Sequence, residues 1–323
     1  MEPAPITGRQ KAVTKVIGVV LTSLSAAGRL HPVSRSWRDG IELYRDVPYV
    51  QGYGRPQHLD VYRPARRDGP LPVLLYIHGG GFSLLSKSTH WMFGYGFARQ
   101  GYLVFSIDYT LSGEAPFPAA LRDAAAALAF VQERAAFYGG DPARIALAGE
   151  SAGANLALAL TVAQCWERPE PYAADVFARA GEYGPVRAVL PACGMLQVSD
   201  PERYLRDETL PAWIRDRIAV VCRRYLPDAS GDPDSFALAD PLCVLESDAA
   251  PARPLPPILA VCGDRDPVQD DSRRLDGALR ERGNAGGVRW YPGGIHAFHA
   301  FIWQEGSRAA WDDQLRFLRE WMD

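Results

Sequence analysis

A serine stands on a predicted sharp turn in the segment Gly149-Glu150-Ser151-Ala152-Gly153. An apolar run, IALA, precedes the segment, and an Ala/Leu-rich run follows it, so the pattern predicts a strand, a turn and a helix in that order. Such a turn presents the serine hydroxyl at the edge of a sheet, beside the positive end of the following helix. A bare Gly-x-Ser-x-Gly pattern is weak, but this setting predicts that Ser151 is a nucleophile.

A serine hydroxyl becomes a nucleophile when a base takes its proton, and histidine is the usual base. Two histidines follow Ser151, and both lie in the segment YPGGIHAFHAF. His296 comes directly after a Pro-Gly-Gly turn and is favoured as the base. His299 is the alternative, better suited to a packed structural position. The HxxH spacing lacks a third ligand, so we predict no metal site.

The base needs an acid to hold its orientation, and the acid is expected after the seventh predicted strand, in GDRDPVQDDS. Asp266 precedes a proline, which favours an extended backbone in a rigid loop, and it is the preferred residue. Asp264 is the second choice, although Asp264 or Asp271 can instead cap the next helix. Glu150 is excluded because the turn directs it away from the base.

Three consecutive glycines follow a strand in the segment LLYIHGGGFSLL, residues 74–85. Glycine lets a backbone approach a ligand closely, and backbone N–H groups stabilise the oxyanion of an acyl-transfer intermediate. We expect Gly80, Gly81 and Ala152 to supply these donors. His78 is expected to hold the loop without transferring a proton. A phosphate site is disfavoured, because neither Lys-Ser/Thr after the glycines nor GxGxxG is present.

These residues require a sheet with helices that return the chain to one edge. The pattern predicts eight strands, at 41–50, 57–63, 72–78, 102–108, 144–149, 186–192, 257–263 and 287–291. It predicts helices near 118–138, 151–165, 268–283 and 307–323. The middle strands are nearly continuous apolar runs, typical of a parallel sheet covered on both faces, and the first two favour an antiparallel edge. The fold class is therefore α/β.

Residues 195–245 interrupt this alternation with a helical segment between the sixth and seventh strands. Because open α/β sheets bind ligands at the carboxyl ends of their strands, this insertion is a candidate cap. We predict N-terminal cap helices at 1–40, a catalytic domain at 41–194 and 246–323, and a helical cap insertion at 195–245.

The N-terminal segment RQKAVTKVIGVVLTSLSAAG has its apolar residues at helical spacing. We predict a packed amphipathic helix and consider the run too short to span a bilayer. A secretory signal is the alternative interpretation.

Composition narrows the choice of partners. The chain has 323 residues and a net charge of −3, which gives no reason to expect nucleic acid or an anionic membrane as a partner. Five widely spaced cysteines contain no CxxC pair, so they favour a reducing, cytoplasmic compartment. We expect no stable membrane insertion.

Several motifs together resemble the hormone-sensitive-lipase-like branch of the α/β-hydrolase superfamily, the bacterial carboxylesterases. They are HGGGF (78–82), DYTLSGEAPFPAALRD (108–123), GGDPARIALAGESAGANLA (139–157), GDRDPVQD (263–270) and YPGGIHAF (291–298). The resemblance, from about residue 57 onwards, implies an α/β-hydrolase fold and a triad of Ser151, Asp266 and His296. Relatives commonly have Asp and Gly where this chain has Glu150 and Ala297.

We therefore expect a cofactor-free serine carboxylesterase that hydrolyses short- to medium-chain esters of small molecules. Phe82, Trp91 and Trp213 are candidate substrate-binding residues, although such aromatics are often core. An amidase or formamidase on the same scaffold is one alternative, and a non-catalytic binding protein is another. The presence of His296 argues against the second. The resemblance also implies that a homodimer can form through an edge strand.

Overall fold

The protein is described here from a computed structural model that covers residues 6–30, 32–50, 57–66, 68–228 and 232–322, with the backbone alone at residues 32, 33, 35 and 233. Eight strands form one sheet in the order β1-β2-β4-β3-β5-β6-β7-β8. They are β1 (Ile41–Pro48), β2 (His58–Pro64), β3 (Leu71–Ile77), β4 (Leu103–Ile107), β5 (Gly140–Glu150), β6 (Ala188–Ala192), β7 (Leu259–Gly263) and β8 (Gly287–Tyr291). All eight predicted strands are present.

The direction of the strands follows their composition. β1 and β2 are antiparallel to their neighbours, whereas β3 to β8 are parallel, so the predicted antiparallel edge is confirmed. Every residue of β4, β6 and β7 is buried, because helices cover both faces of the sheet there. The exposed residues of β1 reflect its position at the edge.

Eleven α-helices are found among the described residues. They are α1 (Gly8–Leu30), α2 (Pro32–Arg38), α3 (Trp91–Ala98), α4 (Ala119–Arg134), α5 (Ala152–Cys165), α6 (Pro171–Glu182), α7 (Glu202–Leu205), α8 (Ala212–Tyr225), α9 (Pro241–Glu246), α10 (Gln269–Glu281) and α11 (Glu305–Met322). Short 3₁₀ turns cover Ala135–Tyr138, Pro233–Ala239 and Phe298–Ala300. One buried cluster joins the sheet to α4, α5 and α10, and a second joins it to α3 and α11.

Two helices, α3 and α6, were not predicted from the sequence, and the residues of α3 explain why. Its sequence, WMFGYGFA, consists of aromatic residues and glycines that disfavour an isolated helix. Tertiary packing decides its structure, because a Cβ at Gly94 would lie 2.4 Å from the Tyr62 ring and one at Gly96 would lie 2.7 Å from the Trp311 ring. The two glycines let α3 approach both β2 and α11.

The N-terminal helix differs from the prediction. α1 extends over 23 residues, which is long and apolar enough to cross a membrane, so the expectation that this run is too short is wrong. Only Thr14 is buried, so the expectation of a packed apolar stripe is also wrong. The predicted domain segment 1–40 includes residues 1–5 and 31, which lie outside the described residues.

Candidate active site

Ser151 lies on a strained turn between strand and helix. β5 ends one residue before Ser151 and α5 begins one residue after it. Its φ of 54° is in the left-handed region, which is uncommon for a residue with a side chain. A Cβ at Gly149 would lie 2.3 Å from the Gly153 carbonyl oxygen, and one at Gly153 would lie 2.0 Å from that of Ile77. Both flanking glycines are therefore required by close backbone packing.

A chain of hydrogen bonds connects Ser151 to His296 and Asp266. The Ser151 Oγ is 3.0 Å from the His296 Nε2, and the His296 Nδ1 is 3.0 and 2.9 Å from the two Asp266 carboxylate oxygens. Asp266 is fully buried and also accepts a hydrogen bond from the Val268 N–H. The carboxylate is thus fixed behind the imidazole, which contacts the serine with its other nitrogen.

Two neighbouring loops position the histidine and the carboxylate. Asp266 follows β7 and His296 follows β8, and these strands are adjacent and parallel. The Gly293 N–H donates to the Asp264 carboxylate at 2.7 Å, which ties the loops together. Ala297 has a φ of 57°, so the position after His296 adopts the conformation that favours glycine.

The alternatives considered for the triad occupy other places. Asp264 is exposed and bonds to the neighbouring loop. His299 is buried, with its Nε2 3.6 Å from the Glu150 carboxylate. In the described part of the chain, neither has a hydrogen bond to Ser151 or His296. The geometry brings together the preferred residues rather than the second choices.

Burial and charge act in opposite directions on the His296 imidazole. Burial lowers the pKa of His296, but the charge and hydrogen bond of Asp266, together with the charge of Glu150, outweigh it and raise the pKa to about 9. The protonated form of His296, which would carry the serine proton on Nε2, is therefore stabilised. Its side chain remains 36% exposed, so the site is open to solvent.

Glu150 is a buried carboxylate among histidines. Its two oxygens lie 3.7 Å from the His90 Nε2 and 3.6 Å from the His299 Nε2. Burial alone would raise the pKa of Glu150, but the interaction with His90 and the charges of His299 and His296 lower it to about 2. Glu150 is thus an anion one residue from the serine. This cluster was not found from the sequence, because nothing in the chain's local pattern brings His90 next to Glu150.

The glycine loop approaches the serine closely. A Cβ at Gly79 would lie 3.4 Å from the Cβ of Ser151. Gly80 and Gly81 have φ values of 118° and 59°, which a side chain would strain. A Cβ at Gly80 would also lie 2.1 Å from the Leu84 carbonyl oxygen.

Three backbone N–H groups, two in the glycine loop and one at the start of α5, are available as hydrogen-bond donors. Among the described residues, the N–H groups of Gly80, Gly81 and Ala152 have no hydrogen-bond acceptor in the protein. A Cβ at Gly81 would lie 2.8 Å from a methyl group of Val221, so α8 packs directly against the loop.

His78 is fixed in a neutral state. Its Nδ1 is 2.7 Å from the Gly79 carbonyl oxygen, and its ring stacks on Tyr109 at a centroid distance of 4.3 Å. Burial lowers the pKa of His78 to about 3, despite weaker opposing contributions. This geometry fits the expectation that His78 holds the loop and takes no proton.

The three aromatic candidates for substrate binding have different surroundings. Phe82 is buried and stacks on Tyr225 at 3.6 Å. Trp91 donates to Ser25 of α1 and packs in the cluster on the α3 side of the sheet, whereas Trp213 is 69% exposed. Among the described residues, none of these side chains forms a hydrogen bond with Ser151. Only Phe82 adjoins the glycine loop.

One group of possible metal donors overlaps the triad. Ligand atoms of Cys193, Asp266 and His296 lie within 4.8 Å of one another. Burial raises the pKa of the Cys193 thiol well above its usual range, so it stays protonated at neutral pH. Asp266 and His296 already bond to each other. The donor set therefore fits a proton relay better than a metal centre.

A family model described as alpha/beta hydrolase fold matches residues 74–300. The chain belongs to the α/β-hydrolase family. Two solved structures resemble this α/β-hydrolase over nearly their whole length. An esterase from Pyrobaculum calidifontis is 25% identical with a TM-score of 0.72, covering 98% of this chain and 99% of the esterase. The carboxylesterase EstE1, from a metagenomic library, is 26% identical with a TM-score of 0.74, covering 96% and 98%. The predicted family and fold are confirmed.

Curated relatives match this α/β-hydrolase over shorter segments. The carboxylesterase NlhH of Mycobacterium tuberculosis is 49% identical over 94 residues, which is 29% of each chain. The acetyl esterase of Salmonella schwarzengrund is 31% identical over 228 residues, which is 70% of this chain and 65% of the relative. The chain thus spans less than two thirds of the length of each.

Proposed function

We propose that this α/β-hydrolase is a serine carboxylesterase that works through an acyl-enzyme intermediate. The observation that carries the proposal is the series of hydrogen bonds from Ser151 through His296 to Asp266. This arrangement suits acyl transfer, because the base contacts the nucleophile with one nitrogen and the acid with the other. Esterases among the relatives and the similar structures support the same chemistry.

The reaction follows from the roles of these side chains. His296 takes the proton of Ser151 as the serine oxygen bonds to the ester carbonyl carbon. The resulting imidazolium, held by Asp266, gives that proton to the departing alcohol as the carbon–oxygen bond breaks. Water then attacks the acyl-serine, His296 takes a proton from the water, and this proton returns to the Ser151 oxygen as the acid leaves. No cofactor is needed.

We propose Gly80, Gly81 and Ala152 as the donors to the oxyanion. Their unbonded N–H groups and the approach of the glycine loop to Ser151 support this assignment. One such donor contributes about 3–4 kcal/mol of transition-state stabilisation.

The first test replaces the nucleophile. We expect Ser151→Ala to reduce the hydrolysis of p-nitrophenyl acetate by a factor of about 10³ or more and to abolish labelling by a fluorophosphonate. Matched amide substrates should react more slowly than esters. Full activity of Ser151→Ala, with an unchanged melting temperature, would contradict the proposal.

Two paired substitutions test the other members of the triad. We expect Asp266→Asn to lower kcat by about 10³–10⁴, because the imidazole loses the partner that fixes its tautomer. Asp264→Asn is the matched control in the same loop, and because its amide oxygen can still accept from the Gly293 N–H it should change kcat less than about threefold. His296→Gln and His299→Gln form the second pair, and His296→Gln should lose the greater activity. A greater loss of activity in Asp264→Asn than in Asp266→Asn would assign the role of the acid to Asp264. A greater loss in His299→Gln than in His296→Gln would assign the role of the base to His299.

We propose that residues 195–245, with the N-terminal segment 1–40, form a cap over a catalytic domain at 41–194 and 246–323. Support comes from the packing of Val221 against Gly81 and of Tyr225 on Phe82. A cap this close to the glycine loop limits the space for the acyl chain and favours short- to medium-chain acyl groups. Phe82 is proposed to line the acyl pocket. A p-nitrophenyl ester series should peak at short or medium chains, and a peak at long chains would contradict this.

We also propose that the protein works in the cytoplasm, since all five cysteines are free thiols. The homodimer that the resemblance implies is proposed to use β8, an edge strand of the sheet. Light scattering of the purified chain tests the dimer, and fractionation of the host cells tests the compartment.

A further inference from the structure

The polar face of α1 is turned towards the rest of the protein. Most of its inward positions recur at helical spacing and are small or polar, namely Gln10, Thr14, Gly18 and Ser25, and Ile17 is a partly buried apolar residue beside them. Gln10 donates to Asp216 at 2.6 Å, and Arg217 donates to Thr14 at 2.6 Å, so the first half of α1 is bonded to α8. Contacts of this kind give little apolar burial.

The second half of α1 lies on the segment after the glycine loop. A Cβ at Gly18 would lie 3.0 Å from a methyl group of Leu84, and Ser25 donates to the Thr89 carbonyl oxygen at 2.8 Å. Together with the bonds to α8, these contacts hold α1 flat along the molecule over most of its length.

The apolar face of α1 is turned outwards. Its exposed large side chains are Val13, Val16, Val19, Val20, Leu21, Leu24 and Leu30, with exposed fractions from 41% to 81%. A helix of a globular protein normally buries this face and exposes the polar one. A contiguous exposed apolar surface marks a site of interaction. Among the described residues nothing covers the outward face of α1, so this face is a candidate contact surface for a partner.

The charge of α1 indicates what that partner is. The helix contains four basic residues and no aspartate or glutamate, and Arg9, Lys11 and Lys15 are exposed beside the apolar face. Two copies of α1 packed together would bring like charges close with no acidic residue on α1 to offset them. Anionic lipid headgroups supply the opposite charge, and the adjoining acyl chains accept valine and leucine side chains.

We propose that the outward face of α1 binds an anionic lipid surface, with the helix lying in the plane of the interface. Val16, Val19 and Leu24 enter the acyl boundary, while the basic side chains contact headgroup phosphates. The bonds of α1 to α8 and to Thr89 keep the helix on the protein, so binding is peripheral and does not span the bilayer. The overall charge of −3 conceals this local basic surface. This proposal is independent of the esterase activity.

Cosedimentation of the full chain with vesicles tests the proposal. One set contains phosphatidylcholine with about a third phosphatidylglycerol, and the other contains phosphatidylcholine alone. At about 0.1 M salt we expect binding to the anionic set that is at least tenfold stronger than to the neutral set, and release at about 0.5 M salt. The double variant Val16→Glu/Leu24→Glu should bind the anionic set at least tenfold more weakly.

The matched control is Phe137→Glu, which changes another exposed apolar residue, 78% exposed, on the 3₁₀ turn after α4. It should bind as the unmodified chain does. Melting curves followed by circular dichroism confirm that all variants are folded, without relying on activity. Three results would overturn the proposal. They are equal sedimentation of the double variant, a dimer that the double variant separates, and retention on vesicles at high salt and alkaline pH.

Discussion

At the scale of single residues, the site depends on charges packed around one imidazole. Asp266 contacts the His296 ring directly, whereas Glu150 acts on it through space from the residue before the serine. Both anions raise the pKa of His296 and favour its protonated form. The acid limb of kcat/KM should therefore lie above the usual range of histidine, with activity rising as His296 loses its proton.

The substitution Glu150→Gln tests the remote charge. Removing this anion should lower the pKa of His296, so the acid limb of kcat/KM should move to lower pH. The plateau rate should fall less than about tenfold, because no group of the proton relay is lost. Glu208→Gln, at an exposed position, is the control and should leave the limb unchanged. An unmoved limb in Glu150→Gln would assign Glu150 a purely structural role.

The three residues of the proposed triad were predictable because local patterns mark each one. Ser151 lies between a strand pattern and a helix pattern, and Asp266 and His296 each follow a strand and a turn. The environment of Glu150 was not predictable, since His90 is distant in the chain and its approach depends on packing. The sequence also could not show that Trp91 faces α1 rather than the serine.

At the scale of elements, the segment after the glycine loop is anchored by a buried lysine. The Lys87 Nζ lies 2.6 Å from Asp46, 2.9 Å from Asp60 and 3.7 Å from Asp108, and its side chain is 3% exposed. Burial alone would lower the pKa of Lys87, but its hydrogen bonds to Asp46 and Asp60 raise it. This ion cluster connects the segment after the glycine loop to β1, β2 and the end of β4.

Replacing Lys87 should destabilise this junction. We expect Lys87→Met to lower the free energy of unfolding by about 3–5 kcal/mol, because the buried Asp60 is left without its cation. Arg316→Met breaks an exposed pair with Asp313 and should cost about 0–1 kcal/mol. Urea denaturation of the three proteins measures both values. Equal losses would show that the Lys87 cluster is no stronger than a surface pair.

The elements differ in how far a sequence determines them. The sheet was predictable because its strands are apolar and separated by turn residues. α3 was not, since its glycines serve contacts with Tyr62 and Trp311 that are remote in the chain. α1 was correctly predicted as a helix, but the prediction of which face packs against the protein was wrong. Periodicity identifies an apolar face without showing what covers that face.

At the scale of the whole molecule, cysteine burial gives a test of the packed core. All five cysteines are free, and four of them are buried, with Cys243 partly buried. Burial raises the pKa of the Cys165 and Cys222 thiols to about 12 and that of Cys243 to about 11. Protonated, enclosed thiols react slowly.

We expect Ellman's reagent to modify at most Cys243 in the native protein at neutral pH, and all five thiols after denaturation in urea. Cys243→Ser should then leave a native protein with no rapidly reacting thiol. Rapid modification of several thiols in the folded chain would indicate a core that opens more readily than this packing allows.

The contact between Val221 and Gly81 joins the proposed cap to the glycine loop. In the proposed cap α8 covers the acyl pocket, so a change in the bulk of Val221 is also expected to shift the peptide groups that would hold the oxyanion. Selectivity for acyl length and rate of turnover are therefore expected to vary together along this helix. Variants selected for larger substrates should recover speed through second changes in the glycine loop rather than in the triad.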